Sequence, residues 1–345
     1  MNGLRFKIGY SENMKKYDFF AYKDNFATHK LVRSNLVFGN LSMSKPLVSI
    51  TIPTFKRPEL LKEAVESVLK QRDFSDFEIV IVDNDSERLY SDKIIRFLSE
   101  LNDERIRYYI NEQNVGVFGN WNRCIELASG TWMTVLSDDD LLFKNYLSTL
   151  TNEIIQDSTL NRVECRYQIF SDSSNIAASK KQLKQYNRTK KFIGGECYVS
   201  YKMYLFDCFT APHTQLYKRD LAYEIGGFDP AFAPISDYVF NAKYLYLYPG
   251  GVFLNQYLCG YRWAVNASQQ MNVKVGICLW NRAFRKYLLN KNASFINKFV
   301  VYSMNYLDLG LLGKNDKLVR RLFAALIWRS IALLKRFLRV PGQIG

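Results

Sequence analysis

The chain has 345 residues, 48% of them apolar, which allows one large or two modest globular domains with a substantial core. Its 47 Lys and Arg outweigh 33 Asp and Glu, for a net charge of +14, but the excess is concentrated at the ends. Residues 1–46 carry +5 and residues 314–345 carry +7, so the long interval between them holds only +2, which argues against a nucleic-acid groove and for an anionic surface as partner. Six scattered cysteines without a Cys-x-x-Cys pair read as reduced thiols of a cytosolic protein, not a disulfide frame or zinc site. Charged residues interrupt the amino-terminal stretch, so no cleavable signal peptide is expected there.

Residues 1–46 mix aromatics with lysine without a sustained period and read as an extension packed on the main domain. Leu47–Thr54 is the first clear strand, and Pro53 interrupts its hydrogen-bond ladder. Pro58 then opens a helix whose Leu60, Leu61, Ala64, Val65, Val68 and Leu69 form one apolar stripe. Phe77–Val82 is a second strand, ending in Asp83-Asn84-Asp85-Ser86, and a polar helix follows around Asp92–Leu101. After a third strand, Ile106–Ile110, the glycine-bearing run Asn114–Asn120 predicts a turn, and Asn122–Ala128 a helix stopped by Gly130.

Thr131–Leu136 is an apolar strand that runs into Asp138, Asp139 and Asp140. Three adjacent carboxylates repel one another unless a cation or donor groups sit among them, and oxygen ligands suit Mg²⁺ or Mn²⁺. A solvated turn capping the next helix through Asp140 is the plainer alternative.

Strand and helix alternate from residue 47 to about 150, which predicts an α/β fold with a mostly parallel sheet flanked by helices. Ligands of such sheets bind beyond the carboxyl ends of the strands, so Thr54–Arg57, Asp83–Ser86 and Asp138–Asp140 are expected on one rim. No Gly-x-Gly-x-x-Gly follows the first strand, which disfavours a dinucleotide fold. Beyond residue 150 the pattern loosens. Ser179–Lys191 reads as a polar loop or exposed helix, Gly226–Pro230 as a turn, Ser236–Leu247 as helical, Val252–Trp263 as strand, and the chain from Val273 onward as helical.

The stretches Val48–Thr54, Ile79–Ser86, Asn114–Gly116, Gly130, Leu136–Asp140 and Gly226-Gly-Phe-Asp229 together resemble the family 2 inverting glycosyltransferases with a GT-A fold, over residues 47–265. The resemblance implies a GT-A domain there, after an extension over 1–46 and before a carboxyl-terminal helical region over 266–345. It gives donor binding to Thr54, Arg57, Asp83 and Asp85, and the backbone turn at Asn114 and Gly116. Ser137 stands where the family's first acid falls, so ribose contact is assigned to Asp138 and the metal, Mn²⁺ or Mg²⁺, to Asp139 with Asp140 supporting. The family's base lies shortly after the Gly-Gly-Phe-Asp turn, where this chain has Ser236-Asp237. Asp237 is the candidate base, with helix capping as its alternative. Asp229 is a candidate to touch the acceptor or shape the turn. Tyr261-Arg262-Trp263 matches a segment of enzymes that build lipid-linked polysaccharides, so Arg262 is a candidate for a diphosphate, with plain strand chemistry open; His213, in the segment leading to the Gly-Gly turn, is a weaker candidate for the acceptor, with a structural role as its alternative.

Around 317–339, Lys317, Arg320, Arg321, Arg329, Lys335, Arg336 and Arg339 fall on one half of a helical wheel at about 100° per residue, with Val319, Leu322, Phe323, Leu326, Leu333, Leu334 and Phe337 opposite. Arg329 breaks the apolar run, so an in-plane helix on an anionic bilayer is expected, with a core-covering or dimer-forming helix as its alternative. The whole pattern predicts a peripheral enzyme on the cytoplasmic face of the inner membrane. The resemblance implies that it moves one sugar from a UDP-sugar, or a GDP- or dTDP-sugar, to an undecaprenyl-diphosphate-linked glycan of O-antigen or capsule type. A transferase acting on a protein or small molecule, and a non-catalytic binding module on the same fold, are the rivals.

Overall fold

A computed structural model describes residues 17–40, 45–170, 197–205, 211–263 and 270–291, with 298, 301, 302 and 305. Residues 1–16, the Ser179–Lys191 stretch and the 317–339 helix of the sequence analysis lie outside the described residues.

The expected α/β alternation forms one mixed sheet. β2 (Val48–Thr54), α1 (Pro58–Leu69), β3 (Phe77–Asp83), α2 (Ser91–Leu101), β4 (Ile106–Asn111), α3 (Gly116–Leu127) and β5 (Trp132–Val135) supply its parallel half. β2, β3, β4 and β5 are buried along their whole lengths, as strands covered on both faces must be. The apolar stripe of α1 delivers Leu61, Ala64, Val65 and Val68 into the main core, beside Ile50, Ile79 and Tyr146. Parallel register sets Thr54 level with Asp83, and Asp83 level with Ile110, so the carboxyl ends of three strands finish together. That common edge is the rim.

Two boundaries differ from the sequence reading. The helix expected from Asn122 begins six residues earlier, at Gly116. Two asparagine side chains make this start workable: the Gly116 amide donates to Asn114 Oδ1 and the Val115 amide to Asn84 Oδ1, both at 2.9 Å. These amides would otherwise be unpaired at a helix amino terminus. The extension read over 1–46 also contributes to the sheet, because β1 (Ser34–Phe38) pairs antiparallel with β4.

β6 (Leu141–Leu142), α4 (Tyr146–Gln156), β7 (Arg162–Phe170), β8 (Cys197–Val199), β9 (Gln215–Lys218), α5 (Arg219–Glu224), α6 (Ser236–Leu247) and β10 (Gly251–Arg262) complete the sheet and its cover. The strand order is β1-β4-β3-β2-β5-β9-β7-β10-β6, with β8 on β10. β9 runs antiparallel to β5 and β7, while β10 is parallel to β7, so β10 ends on the same rim as β2 and β3. α7 (Met271–Lys291) packs with α6 and the amino-terminal segment in a separate aromatic cluster that includes Phe19, Phe20, Phe232, Trp280 and Phe284.

The turn before α6 is fastened on both sides. Asn25 donates through its backbone and side chain to Gly226 O, and Asn122 of α3 exchanges hydrogen bonds with the Phe228 backbone. Gly226 has φ +88°, and a Cβ there would lie 1.9 Å from Lys23 O. Gly226→Ala is therefore expected to lower unfolding stability by roughly 2–4 kcal/mol, read by urea denaturation.

Candidate active site

The acid motif sits on the rim after β5, and the three side chains are almost completely buried. Buried carboxylates in contact must be supplied with donors or positive charge. Asp138 Oδ2 accepts from Thr54 Oγ1 at 2.8 Å, and Arg57 Nη1 lies 3.4 Å from Asp138 Oδ1 and 3.3 Å from Asp139 Oδ2. Burial, together with the neighbouring acids, holds the Asp138 and Asp139 carboxyls above the usual range, against the opposing pull of Arg57. Thr54, Arg57, Asp138 and Asp139, all read from the sequence as donor- or metal-facing, are thus brought into one contact group.

Asp140 faces the other way. Its Oδ1 accepts from the Arg262 amide at 2.8 Å, and its Oδ2 lies 3.1 Å from His213 Nδ1, at hydrogen-bond length but off hydrogen-bond angle. Arg262 also donates through Nε to Asp139 O at 2.8 Å and through Nη2 to Glu63 Oε2 at 2.6 Å, with its guanidinium 4.6 Å from the Phe170 ring centre. Arg262, expected as a diphosphate contact, instead braces the acid loop from beneath. His213, fully buried and with its ring nearly parallel to that of Tyr261 at 6.4 Å, offers no surface to an acceptor. The acids that converge on one point are therefore Asp138 and Asp139, not Asp139 and Asp140. Glu63 escaped the sequence reading because it lies on the polar face of an otherwise ordinary amphipathic helix.

The second rim loop is organised by asparagines. Asn84 uses its whole amide: Oδ1 accepts from Val115 N and Asn111 Nδ2, and Nδ2 donates to Asn114 Oδ1 and Gly116 O. Asn114 and Gly116 are thereby fixed against the end of β3. Asp83 takes the Asp85 amide on one oxygen and the Tyr108 hydroxyl on the other, and burial pushes its carboxyl up to about 6. Asp85 accepts from the Leu89 amide at 2.9 Å, and its other oxygen is 3.6 Å from Lys56 Nζ, which also pairs with Glu87. Lys56, at φ +56°, ties the first loop to the second. Lys56 and Asn84 fall within the stretches expected on the rim, whereas nothing in the sequence marks Asn111.

Asp229 accepts from Lys23 Nζ at 2.7 Å and from the Ala231 amide, so it shapes the turn ahead of α6. Asp237 stands in the first turn of α6. Gln215 Nε2 donates to Asn241 Oδ1 and the Lys218 amide to Tyr244 Oη, so α6 runs alongside β9 in the same direction. Because β9 opposes β5, its Gln215 end is the rim end, and Asp237 lies one helical turn, about 6 Å, beyond Asn241 toward the rim. Asp237 is only partly open to solvent, and burial pushes its carboxyl up to about 6.

Two carboxylate oxygens converging on one guanidinium nitrogen form a position that favours positive charge. Asp138 and Asp139 therefore suit a divalent ion completed by ligand oxygens. Among the described residues no three His, Cys, Asp or Glu side chains form a closed metal cage.

A mostly parallel sheet whose carboxyl rim presents an acid motif after its fourth parallel strand is the architecture of GT-A transferases. The matching solved structures support this at the level of fold. Staphylococcus aureus TarS 1–349 in complex with UDP-GlcNAc aligns with TM-score 0.55 and 14% identity, over 81% of this chain and 79% of that one. A Pyrobaculum calidifontis mannosyltransferase in complex with GDP-Man and Mn²⁺ aligns with TM-score 0.53 and 16% identity, over 86% and 85%. The glycosyl transferase family 2 model matches residues 49–225, just over half of the sequence, and the chain belongs to that family.

Among curated relatives, a Campylobacter jejuni GalNAc(5)-diNAcBac-PP-undecaprenol β-1,3-glucosyltransferase is 40% identical over 108 residues, 30% of this chain and 33% of that protein. An Escherichia coli UDP-Glc:α-D-GlcNAc-diphosphoundecaprenol β-1,3-glucosyltransferase is 27% identical over 156 residues, 45% of this chain and 59% of that protein. The chain thus spans between a third and three-fifths of the length of these relatives.

Arg262→Met removes the brace and leaves Glu63 and Asp139 O without their donor. It is expected to lower stability by roughly 1–3 kcal/mol, whereas Glu63→Gln, at a half-exposed position, stays within about 1 kcal/mol. Parallel urea titrations of the two variants check this.

Proposed function

We propose that this protein is an inverting glycosyltransferase that moves a single sugar from a nucleoside-diphosphate sugar to a lipid-linked glycan of the undecaprenyl-diphosphate type. The donor is a UDP-sugar by preference, with GDP- and dTDP-sugars as alternatives, and the setting is bacterial surface polysaccharide assembly. The observation that carries the reading is a carboxyl of raised pKa, Asp237, directed by α6 toward the rim that holds the Asp138–Asp139 pair. Family membership supports glycosyl transfer, and the names of the two relatives support a polyprenyl-diphosphate acceptor.

Asp138 and Asp139 would hold Mn²⁺ or Mg²⁺, and the ion would neutralise the negative charge that grows on the leaving diphosphate. The chain's own residues do the rest. Asp138, held by Thr54, faces the ribose hydroxyls, and the Asp83–Asp85 loop borders the base. Asp237 accepts the proton of the acceptor hydroxyl as that oxygen bonds to the anomeric carbon and the bond to the diphosphate oxygen breaks. A single in-line displacement with one base inverts the anomeric centre, by analogy with inverting glycosidases.

A base must be ionised to work, so kcat/KM is expected to rise with pH through about 6 and level off above it. Asp237→Asn should retain UDP binding and lose turnover by about 10²-fold or more. Because the folded pKa is raised, ionising Asp237 costs stability as pH rises through about 6. Asp237→Asn should therefore raise the melting temperature at pH 7.5 but not at pH 4. Donor candidates come from a thermal-shift series of UDP-, GDP- and dTDP-sugars, and retention of full turnover by the variant would remove Asp237 from the mechanism.

The acceptor reading includes a peripheral position on the inner membrane. Among the described residues no helix is long and apolar enough to cross a bilayer. The eight Lys and Arg against one acid in 314–345 suit an anionic surface. Deleting 314–345 should abolish co-sedimentation with phosphatidylglycerol vesicles at low salt. It should leave soluble UDP binding intact.

A further inference from the structure

We propose that Arg57 is the residue that couples cation binding to nucleotide binding, by serving as the resident counter-charge of the Asp138–Asp139 pair until a diphosphate draws it away. The proposal rests on the donor-and-ion reading above and adds an order of affinities to it.

Arg57 Nη1 lies 3.3 Å from one acid and 3.4 Å from the other, which is the position where two carboxylate oxygens from adjacent residues converge. A guanidinium and a divalent ion cannot share that position, since like charges at contact distance repel strongly in a partly buried site. Cation binding to the protein alone must therefore displace a favourable ion pair. The two acids need positive charge there at all times. Both are buried, and Asp140 is buried beside them.

Arg57 is also the one member of the group built to move. Its side chain remains 40% exposed, whereas those of Asp138 and Asp139 are 8% and 6%. It stands at the head of α1 with no side-chain cap bond to that helix, so departure of the guanidinium breaks no capping hydrogen bond. Asp139 is fixed in place through its carbonyl, which accepts from Arg262 Nε, and Asp138 is fixed by Thr54. The acids stay and the arginine leaves. A diphosphate offers the departing guanidinium a bidentate partner of equal or greater charge, while its remaining oxygens complete the ion's ligand set. Cation and nucleotide then favour one another, and by linkage each raises the other's affinity by the same factor.

The test is calorimetric titration of Mn²⁺ into the full chain, with and without saturating UDP and with GDP as a second arm, for the unmodified protein, Arg57→Gln and Arg57→Lys. The unmodified protein should bind Mn²⁺ weakly alone and at least about tenfold more tightly with nucleotide. Arg57→Gln should bind Mn²⁺ alone about tenfold more tightly than the unmodified protein, and show a smaller enhancement by UDP. Arg57→Lys, which keeps the charge, should again bind the bare ion weakly.

If Arg57 only grips phosphate, the glutamine variant loses UDP affinity without gaining Mn²⁺ affinity, and the proposal is wrong. If Arg57→Gln binds bare Mn²⁺ more weakly, the arginine organises the site instead of guarding it, and the proposal is equally wrong. Absence of Mn²⁺ binding in all three proteins, with either nucleotide present, would overturn the ion reading itself together with the proposal.

Discussion

Five carboxylates, Asp83, Asp85, Asp138, Asp139 and Asp140, are packed nearly out of solvent at the ends of two strands, and the surrounding structure is arranged to make that tolerable. The compensation comprises a tyrosine hydroxyl and an amide for Asp83, an amide and a lysine for Asp85, a threonine and an arginine for Asp138, the same arginine for Asp139, and a backbone amide for Asp140, whose other oxygen lies 3.1 Å from His213 Nδ1. These partners come from β2, β4, β10, the first rim loop and the turn at Pro212–Thr214. An unpaired buried charge costs several kcal/mol, so the site holds only while all these elements are in register.

The compensation is uneven in a way that suits function. Asp140 and Asp83 are held by partners that are themselves buried, and their oxygens are directed into the protein. Asp138 and Asp139 share an arginine that remains accessible from solvent. The first group fixes the geometry of the loops. The second leaves a concentrated negative position whose one counter-charge, Arg57, borders solvent.

The base candidate is controlled from a different part of the chain. Asp237 depends on α6, and α6 depends on the glycine turn ahead of it, on Asn122 of α3 and on the Phe19–Asn25 segment. Lys243 of α6 reaches back to the carbonyls of Ala21 and Ile225, and burial holds its ammonium below the usual range. The amino-terminal segment is thus part of what aims the helix. A carboxyl in the first turn of a helix is ordinarily stabilised in its charged form by the helix dipole; here burial outweighs that effect and leaves a group suited to take up a proton.

Local patterns were sufficient for the parallel half of the fold. Continuous apolar runs at 48–54, 77–82 and 106–110, with an amphipathic stripe between the first two, identify buried parallel strands and their crossover helix without any tertiary information. From those runs and the rule that ligands gather beyond the carboxyl ends, Thr54, Arg57, Asp83 and Asp138–Asp140 could be assigned to one rim. Residues 150–235 were less readable because β7 carries charge on a covered face: Arg162, Glu164, Arg166 and Gln168 alternate with apolar residues as in a half-exposed strand, yet Arg162 and Glu164 pair inside the protein. The start of α3 at Gly116 was hidden because asparagines distant in sequence satisfy its first amides.

What each acid faces was likewise a tertiary outcome. A sequence presents Asp138, Asp139 and Asp140 as equivalent neighbours. Only the positions of Arg57 above them, and of Arg262 and His213 below, separate the two that face the rim from the one that anchors the loop. Residue type and spacing determined which chemistry could assemble here, because strand ends place their following residues on a shared edge. The direction in which each carboxylate points was decided by partners up to 122 residues away, since a buried charge turns toward whichever donor the folded chain brings to it.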